Sequence, residues 1–302
     1  QDANKRLNEA RKSEQEAINF QRGKQGRGKI EIPGDLLRRA KEHLNEKKQE
    51  PEPINPGNPT AGTYSSIDDF YAQNGVPLQS YIINGTNGGS FTSPQGTTVT
   101  IPANAFVTQT GSPVTGNVTI EFKDIYKKSD MLLSDKPTNT YWGEPLESGG
   151  EFFIKAIAGG APVMMADGKK ILVDQPVMLT GMSDSGMAPF VLIPDSATNP
   201  GGWFYSGYDS LFATANSYIY SMYQFSQPVN SGTWSNTDNP YPFAWYAPNT
   251  LTLHLTDDPA NFSMDVYLVF SGINTTVHVY GYGSDFPDNY APVGFQCTAV
   301  AV

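Results

Sequence analysis

The sequence predicts a mainly β protein: an antiparallel β-sandwich plus a second β-rich region, preceded by an N-terminal helical arm. Three observations carry this. Gly and Pro number 29 and 23 in 302 residues, aromatics make up 12% and charged residues only 17%, the composition of turn-rich β structure. Short stretches of alternating apolar and polar residues recur from Leu78 onward, the period-two mark of half-buried strands. The net charge of −10 is unevenly placed. Residues 1–50 hold 13 Lys/Arg and 9 Asp/Glu, and residues 51–302 hold 7 and 21, with no Lys, Arg or Glu after Lys170.

The first segment, Gln1 to about Arg22, reads as a helix with a thin apolar stripe containing Leu7, Ala10 and Ile18. Gly23, Gly26 and Gly28 interrupt it. A second helix is expected from Asp35, as N-cap, to about Lys48, with Leu36, Leu37 and Leu44 on its apolar side and Lys47 and Lys48 matching the dipole at its end. Neither stripe is wide enough to form a core alone. Residues 51–77 are a Pro-rich linker followed by a short helix. Ser66-Ile67-Asp68-Asp69 forms a capping box with Asp in place of Glu, and Asn74-Gly75 closes the helix.

Strands follow. Tyr81–Ile83, Thr98–Ile101, Val118–Phe122, Phe152–Ala156, Ile171–Val173 and Val177–Leu179 are expected in a first sandwich, 78–184, with a turn at Asp167-Gly168. Leu251–Leu255, Met264–Phe270, Val277–Tyr280 and Val293–Val302 belong to a second β-rich region, 185–302. Within it, residues 203–246 carry fourteen aromatics, including Trp203, Tyr205, Tyr208, Trp234, Trp245 and Tyr246, but only Asp209 and Asp238 as charges. Aromatics are the main payload of β cores. Tyr, Trp, Ser, Asn and Gly are equally the palette of recognition surfaces. Core packing and a ligand or partner surface both remain open for this insert.

Gly88-Gly89-Ser90-Phe91-Thr92, then Gly96-Thr97-Thr98-Val99-Thr100-Ile101-Pro102-Ala103-Asn104-Ala105-Phe106, then Val114-Thr115-Gly116 and Val118-Thr119-Ile120 resemble a ZU5-type β-sandwich. The similarity is to the version found in bacterial cell-envelope and secreted proteins. It continues through Tyr126–Thr138 and Glu147–Lys155 and, loosely, through Ala291–Gly294. The arm and the aromatic insert lie outside it. The resemblance implies a non-catalytic interaction or scaffolding domain and supplies no catalytic residues. Independently, Gly88-Gly89 permits positive φ or close approach, and Pro102 ends its strand where the missing N–H would cost a ladder bond.

Cys297 is the single cysteine, which rules out an intrachain disulfide and any multi-cysteine zinc site. A buried thiol in the final strand is expected. His43, His254 and His278 form no metal-ligand spacing and read as polar-face residues. Asp257-Asp258-Pro259 and Asp285-Phe-Pro-Asp288 suit turns. Gly181-Met-Ser-Asp-Ser185 lacks the second Gly of a nucleophile elbow, and no P-loop or dinucleotide fingerprint occurs. No catalytic residue, metal or cofactor is assigned. No apolar run reaches the ~18 residues of a membrane span. The basic arm is interleaved with acids and tethered to an acidic body, which disfavours nucleic acid.

A first residue other than Met is read as a product of processing or trimming, and the low charge of the Lys-free half suits an extracellular or cell-surface location. The expected function is a non-catalytic, exported bacterial structural protein. It would assemble with other copies of itself into a fibre or surface layer, its arm docking on a neighbouring subunit. The alternative is a monomeric module that binds cell-surface glycan through the aromatic insert.

Overall fold

The computed structural model describes residues 64–178, 186–194, 201–225, 232–240, 248–254, 264–281, 285–292 and 295–302. The chain divides into two units, Gln1–Ser65 and Ser66–Val302. The expected arm, with Leu7, Ala10, Ile18, Leu36, Leu37 and Leu44, and the linker to residue 63 lie outside the described residues. The second unit is mainly β and antiparallel, as the sequence predicts.

It opens with helix α1 (Ile67–Asn74). The Ser66 side chain accepts from the Asp69 N–H at 3.1 Å, Asp68 and Asp69 occupy the positive first turn, and the Gly75 N–H closes onto the Tyr71 carbonyl. The strands follow in chain order. The first are β1 (Gln79–Asn84), β2 (Gly89–Thr92), β3 (Thr98–Ile101), β4 (Phe106–Val107) and β5 (Asn117–Ile125). After the short helix α2 (Lys128–Leu133) come β6 (Glu147–Ala158), β7 (Ala161–Pro162), β8 (Met164–Met165) and β9 (Ile171–Pro176). Then come β10 (Ala188–Ile193), β11 (Gly202–Tyr205), β12 (Ser210–Ala213), β13 (Ser217–Met222) and β14 (Thr233–Asn239). The last are β15 (Pro248–His254), β16 (Val266–Phe270), β17 (Thr276–Val279), β18 (Asp285–Pro292) and β19 (Cys297–Ala301).

A seven-stranded sheet runs β1-β5-β6-β14-β10-β11, with β7 also on β6, and a five-stranded sheet runs β12-β13-β9-β3-β2. Period-two alternation explains how they meet. On β5, Val118, Ile120 and Phe122 are fully buried while Thr119, Glu121 and Lys123 between them are less so. These residues and Phe152 and Ile154 of β6 share one core with Val99, Ile101, Ile171, Val173 and Tyr220 of the five-stranded sheet. Phe152 meets Tyr220 edge-on at 5.2 Å between ring centres, a favoured aromatic geometry. A separate cluster, with Val266, Leu268, Phe270, Val277, Val279 and Phe286, forms the core of a C-terminal lobe. That lobe contains the sheet β17-β16-β19 and the β15-β18 pair.

Three expectations need correction. Residues 188–239 were expected in a second region beginning at 185, but β10, β11 and β14 extend the seven-stranded sheet and β12 and β13 extend the five-stranded one. β14 (Thr-Trp-Ser-Asn-Thr-Asp-Asn) was missed because its composition is that of a turn. It becomes a strand by pairing with β6 on one side and β10 on the other, which is tertiary context overriding propensity. Val177 and Met178 lie beyond the end of β9 rather than in a strand of their own, and the Val177 N–H bonds the Asn216 carbonyl. Asp285–Asp288, expected in a turn, begins β18.

The C-terminal lobe is tied to the larger body by hydrogen bonds. Asn274 Nδ2 donates to the carbonyls of Tyr126 (3.0 Å) and Ser148 (2.8 Å), and Thr275 Oγ1 donates to that of Leu146 (2.8 Å). The Thr138 N–H donates to the Thr276 carbonyl, and Lys128 Nζ donates to that of Ile273 at 2.9 Å.

One glycine of the resemblance motif has a steric reason. Gly88 has φ +72°, and a Cβ there would lie 2.3 Å from the Ile101 carbonyl oxygen; Gly111, at φ +84°, has open space around it. Gly111→Ala should therefore cost about 1 kcal/mol, the left-handed penalty alone. Gly88→Ala should cost more than about 3 kcal/mol by adding a backbone clash. Urea unfolding of both variants checks this; equal losses would show that the β2–β3 approach yields to the added methyl.

Candidate functional site

Two polar constellations and one surface stand out. The first constellation lies within and beside the seven-stranded sheet. Asp124 Oδ2 accepts from Ser93 Oγ and, at 2.6 Å, from Thr97 Oγ1; Thr97 Oγ1 lies 2.5 Å from the Tyr126 hydroxyl. Gln175 of β9 donates to the Gly150 carbonyl (2.9 Å) and accepts from Thr237 Oγ1 (2.7 Å), which joins the two sheets. Where β6 and β14 pair, Glu151 and Asp238 are fully buried. Among the described residues, neither carboxylate oxygen of Asp238 has a hydrogen-bond partner, nor does Oε2 of Glu151. The Ser148 hydroxyl, the donor beside Asp238, is committed to Asn236 Oδ1 at 2.8 Å. Burial pushes both carboxyls well above the usual carboxylate range; the Asp238 charge adds to this at Glu151, against the pull of Lys136.

The second constellation fastens α1 to the C-terminal lobe. The Tyr71 hydroxyl lies 2.7 Å from both Asp265 Oδ2 and the Tyr267 hydroxyl, and the Tyr267 hydroxyl donates to Asp135 Oδ1 at 2.8 Å. His278 Nε2 is 3.1 Å from Asp265 Oδ1, and its ring stacks on Tyr267 at 5.0 Å. His278 is thus a partly buried link in a network. His254 is exposed and pairs with Asp285 at 2.7 Å. Burial pushes the Asp265 carboxyl upward, but the hydrogen bonds from His278 and Tyr71 outweigh it and hold the group below its ordinary range.

The surface is the outer side of the five-stranded sheet where the aromatic insert supplies β12 and β13. Side chains alternate, so Tyr218 and Tyr220 point to the core while Phe212 faces out opposite Ile219. Tyr208 is 74% exposed and Phe212 67%, and Tyr223 is also exposed. The Tyr223 N–H donates to Asp209 Oδ1 at 3.0 Å, which holds Tyr223 beside the turn that carries Tyr208. Lys170 Nζ sits 5.8 Å from the centre of the Tyr223 ring.

The insert therefore divides. Trp203, expected on a ligand or partner surface, is fully buried and donates through Nε1 to the Pro137 carbonyl at 2.8 Å, so it belongs to the core. Tyr205 and Trp234 are half-buried and pack around Phe190 and Trp203. Trp234 meets Phe153 at 5.4 Å, with Lys136 Nζ over its ring. Of the expected surface residues with described positions, only Tyr208 is exposed; Trp245 and Tyr246 lie outside the described residues. Phe212 and Tyr223 were overlooked, although counting in twos from Tyr208 and from Ile219 reaches both. Cys297 is half-buried against the C-terminal core rather than fully buried.

Among the described residues, no group of three or more His, Cys, Asp or Glu side chains is placed to hold a metal ion. Among those residues, too, no helix is long and apolar enough to cross a membrane.

The buried carboxyls set a pH dependence with a definite sign. A carboxyl whose pKa is raised in the fold keeps its proton where the unfolded chain has lost it. Stability contributed at Glu151 and Asp238 is therefore lost as pH climbs from about 4 towards their raised native values, by at most about 1.4 kcal/mol per pH unit for each group. Asp265 acts oppositely, its contribution being lost only as pH falls through its depressed value. Asp238→Asn and Glu151→Gln should melt close to the parent at pH 5 and progressively above it at pH 6, 7 and 8. Parallel melting curves across that range would show that neither group is held protonated.

Comparison of the chain with family models, with curated proteins and with solved structures finds no match.

Proposed function

We propose that this chain is a non-catalytic, exported bacterial structural protein. Its β unit serves as the docking body, and its basic arm packs on the body of a neighbouring copy at the cell surface. The observation that carries this reading is the coincidence of two divisions. The chain separates into units at Ser65/Ser66, and its charge changes sign close to the same point, from net +4 over residues 1–50 to net −14 over 51–302. Opposite charges on two ends of one chain favour contact between unlike surfaces. Such heterologous contacts close into rings or extend into filaments. Surface charge pairs are individually weak and set orientation more than affinity, so the stripes Leu7/Ala10/Ile18 and Leu36/Leu37/Leu44 are the source of docking energy in this reading. The resemblance of residues 78–184 to a ZU5-type interaction domain supports the same class of function.

A second reading, a cell-surface module that binds glycan through the aromatic insert, is favoured by the exposure of Tyr208, Phe212 and Tyr223. The two readings separate on solution mass. The assembling protein should sediment as a multiple of 32.9 kDa and fall to a monomer when Leu7, Leu36 and Leu44 are changed to Ser, with the body's melting temperature kept. Sedimentation of that triple variant identical to the parent's would remove the arm from the assembly.

A further inference from the structure

We propose that the outer face of the five-stranded sheet, at Tyr208, Tyr223 and the Lys169-Lys170 pair, is a binding site for an acidic, uronate-bearing polysaccharide. This rests on the second, glycan-binding reading and names its ligand class and its residues.

Of the seven lysines of the β unit, Lys155 pairs with Glu121 at 4.0 Å, Lys128 and Lys136 donate to backbone carbonyls, Lys123 is half-buried, and Lys127 is exposed at the start of α2, away from any exposed aromatic pair. Lys169 and Lys170 have no carboxylate partner among the described residues; Lys170 is exposed, and its Nζ lies over the Tyr223 ring. Both lysines line a shallow open depression together with Thr100, Pro102, Gly168 and Leu172. Leu172 and Thr100 are register partners on β9 and β3, so the depression lies on the sheet face itself.

The anion nearest the aromatic pair is turned away from this face. Asp209 accepts from Ser206 Oγ (2.8 Å), the Tyr220 hydroxyl (2.9 Å) and the Tyr223 N–H (3.0 Å), so its carboxylate is spent on holding the Tyr208–Tyr223 turn. The exposed Asp167 lies beside the two lysines, and Asp174 stands further along the same face of β9, between its register partners Thr98 and Ile219. Because screening limits exposed charges to roughly 8 Å in physiological salt, a bound carboxylate responds to Lys169 and Lys170 rather than to the net charge of the whole body.

The chemistry that fits is specific. Exposed aromatic rings offer flat apolar faces for the C–H side of a pyranose ring, and the lysines beside them offer donors to a carboxylate. A neutral sugar would use the rings and leave the charges idle. Strand β12 ends its sheet, so among the described residues no further strand shields Phe212 on that flank. A polymer running along the row thus has a third exposed aromatic within the same surface.

The test is affinity electrophoresis of the full chain in native gels containing alginate, a polyuronate, or neutral dextran. The parent should be retarded by alginate, and the dissociation constant should rise at least fivefold in Lys169→Gln/Lys170→Gln and in Tyr208→Ala/Tyr223→Ala. Both double variants keep the basic arm and should keep the parent's melting temperature. Lys170→Arg should restore most of the retardation in a Lys169→Gln background. Alginate retardation that is unchanged in both double variants overturns the proposal, since the polymer is then held elsewhere. Retardation by dextran alone, abolished in the tyrosine variant, overturns the acidic ligand class while leaving the glycan reading standing. Retardation by neither polymer overturns both.

Discussion

The β unit rests on one constraint: polar groups removed from water must find partners or, as carboxyls, give up their charge. Strand β14 is almost wholly hydrophilic, yet Thr233 and Ser235 to Asn239 are all buried. It lies between β6 and β10 in the seven-stranded sheet, so its backbone groups are satisfied by two ladders. Its Thr237 side chain is taken up by Gln175 from the facing sheet and its Asn236 side chain by Ser148 and Glu151 from the neighbouring strand, while burial holds the Asp238 carboxyl well above its ordinary range. Asn274, from the turn between β16 and β17, completes the arrangement by bonding the carbonyls of Tyr126 and Ser148. The joint between the larger body and the C-terminal lobe is consequently polar and directional. An apolar joint could slide, whereas paired amide and carbonyl groups tolerate only a narrow range of positions.

The same requirement sorts the aromatic residues. Trp203, Tyr218 and Tyr220 are buried along their full length. Trp203 and Tyr220 place a polar atom on a carbonyl or carboxylate. Tyr208, Phe212 and Tyr223 lie at positions of opposite parity or in turns and remain in water. One segment thus supplies both core and surface. Its buried aromatics stabilise the layers that hold the exposed ones in place, and fixed rings lose little freedom on meeting a ligand.

The tyrosine–aspartate–histidine network has a comparable structural role at the other end of the unit. Tyr71 is the buried residue of α1, the first helix after the arm, and its hydroxyl reaches Asp265 and Tyr267.

The fold class, the short capped helix at Ile67–Asn74 and most strands whose apolar residues alternate, such as Val118–Phe122 and Thr98–Ile101, are legible in the sequence. These follow from local periodicity and turn chemistry, which each segment carries within itself. The sequence also shows the charge division between arm and body. It did not show that residues 188–239 complete the two sheets of the preceding region, because strand partnership is a long-range choice that composition does not encode. Long-range packing makes the polar β14 a central strand, places Trp203 in the core and Tyr223 at the surface, and brings Glu151 and Asp238 together away from water. In each case the deciding factor is which neighbour covers the residue, and that neighbour is often tens of residues away in the chain.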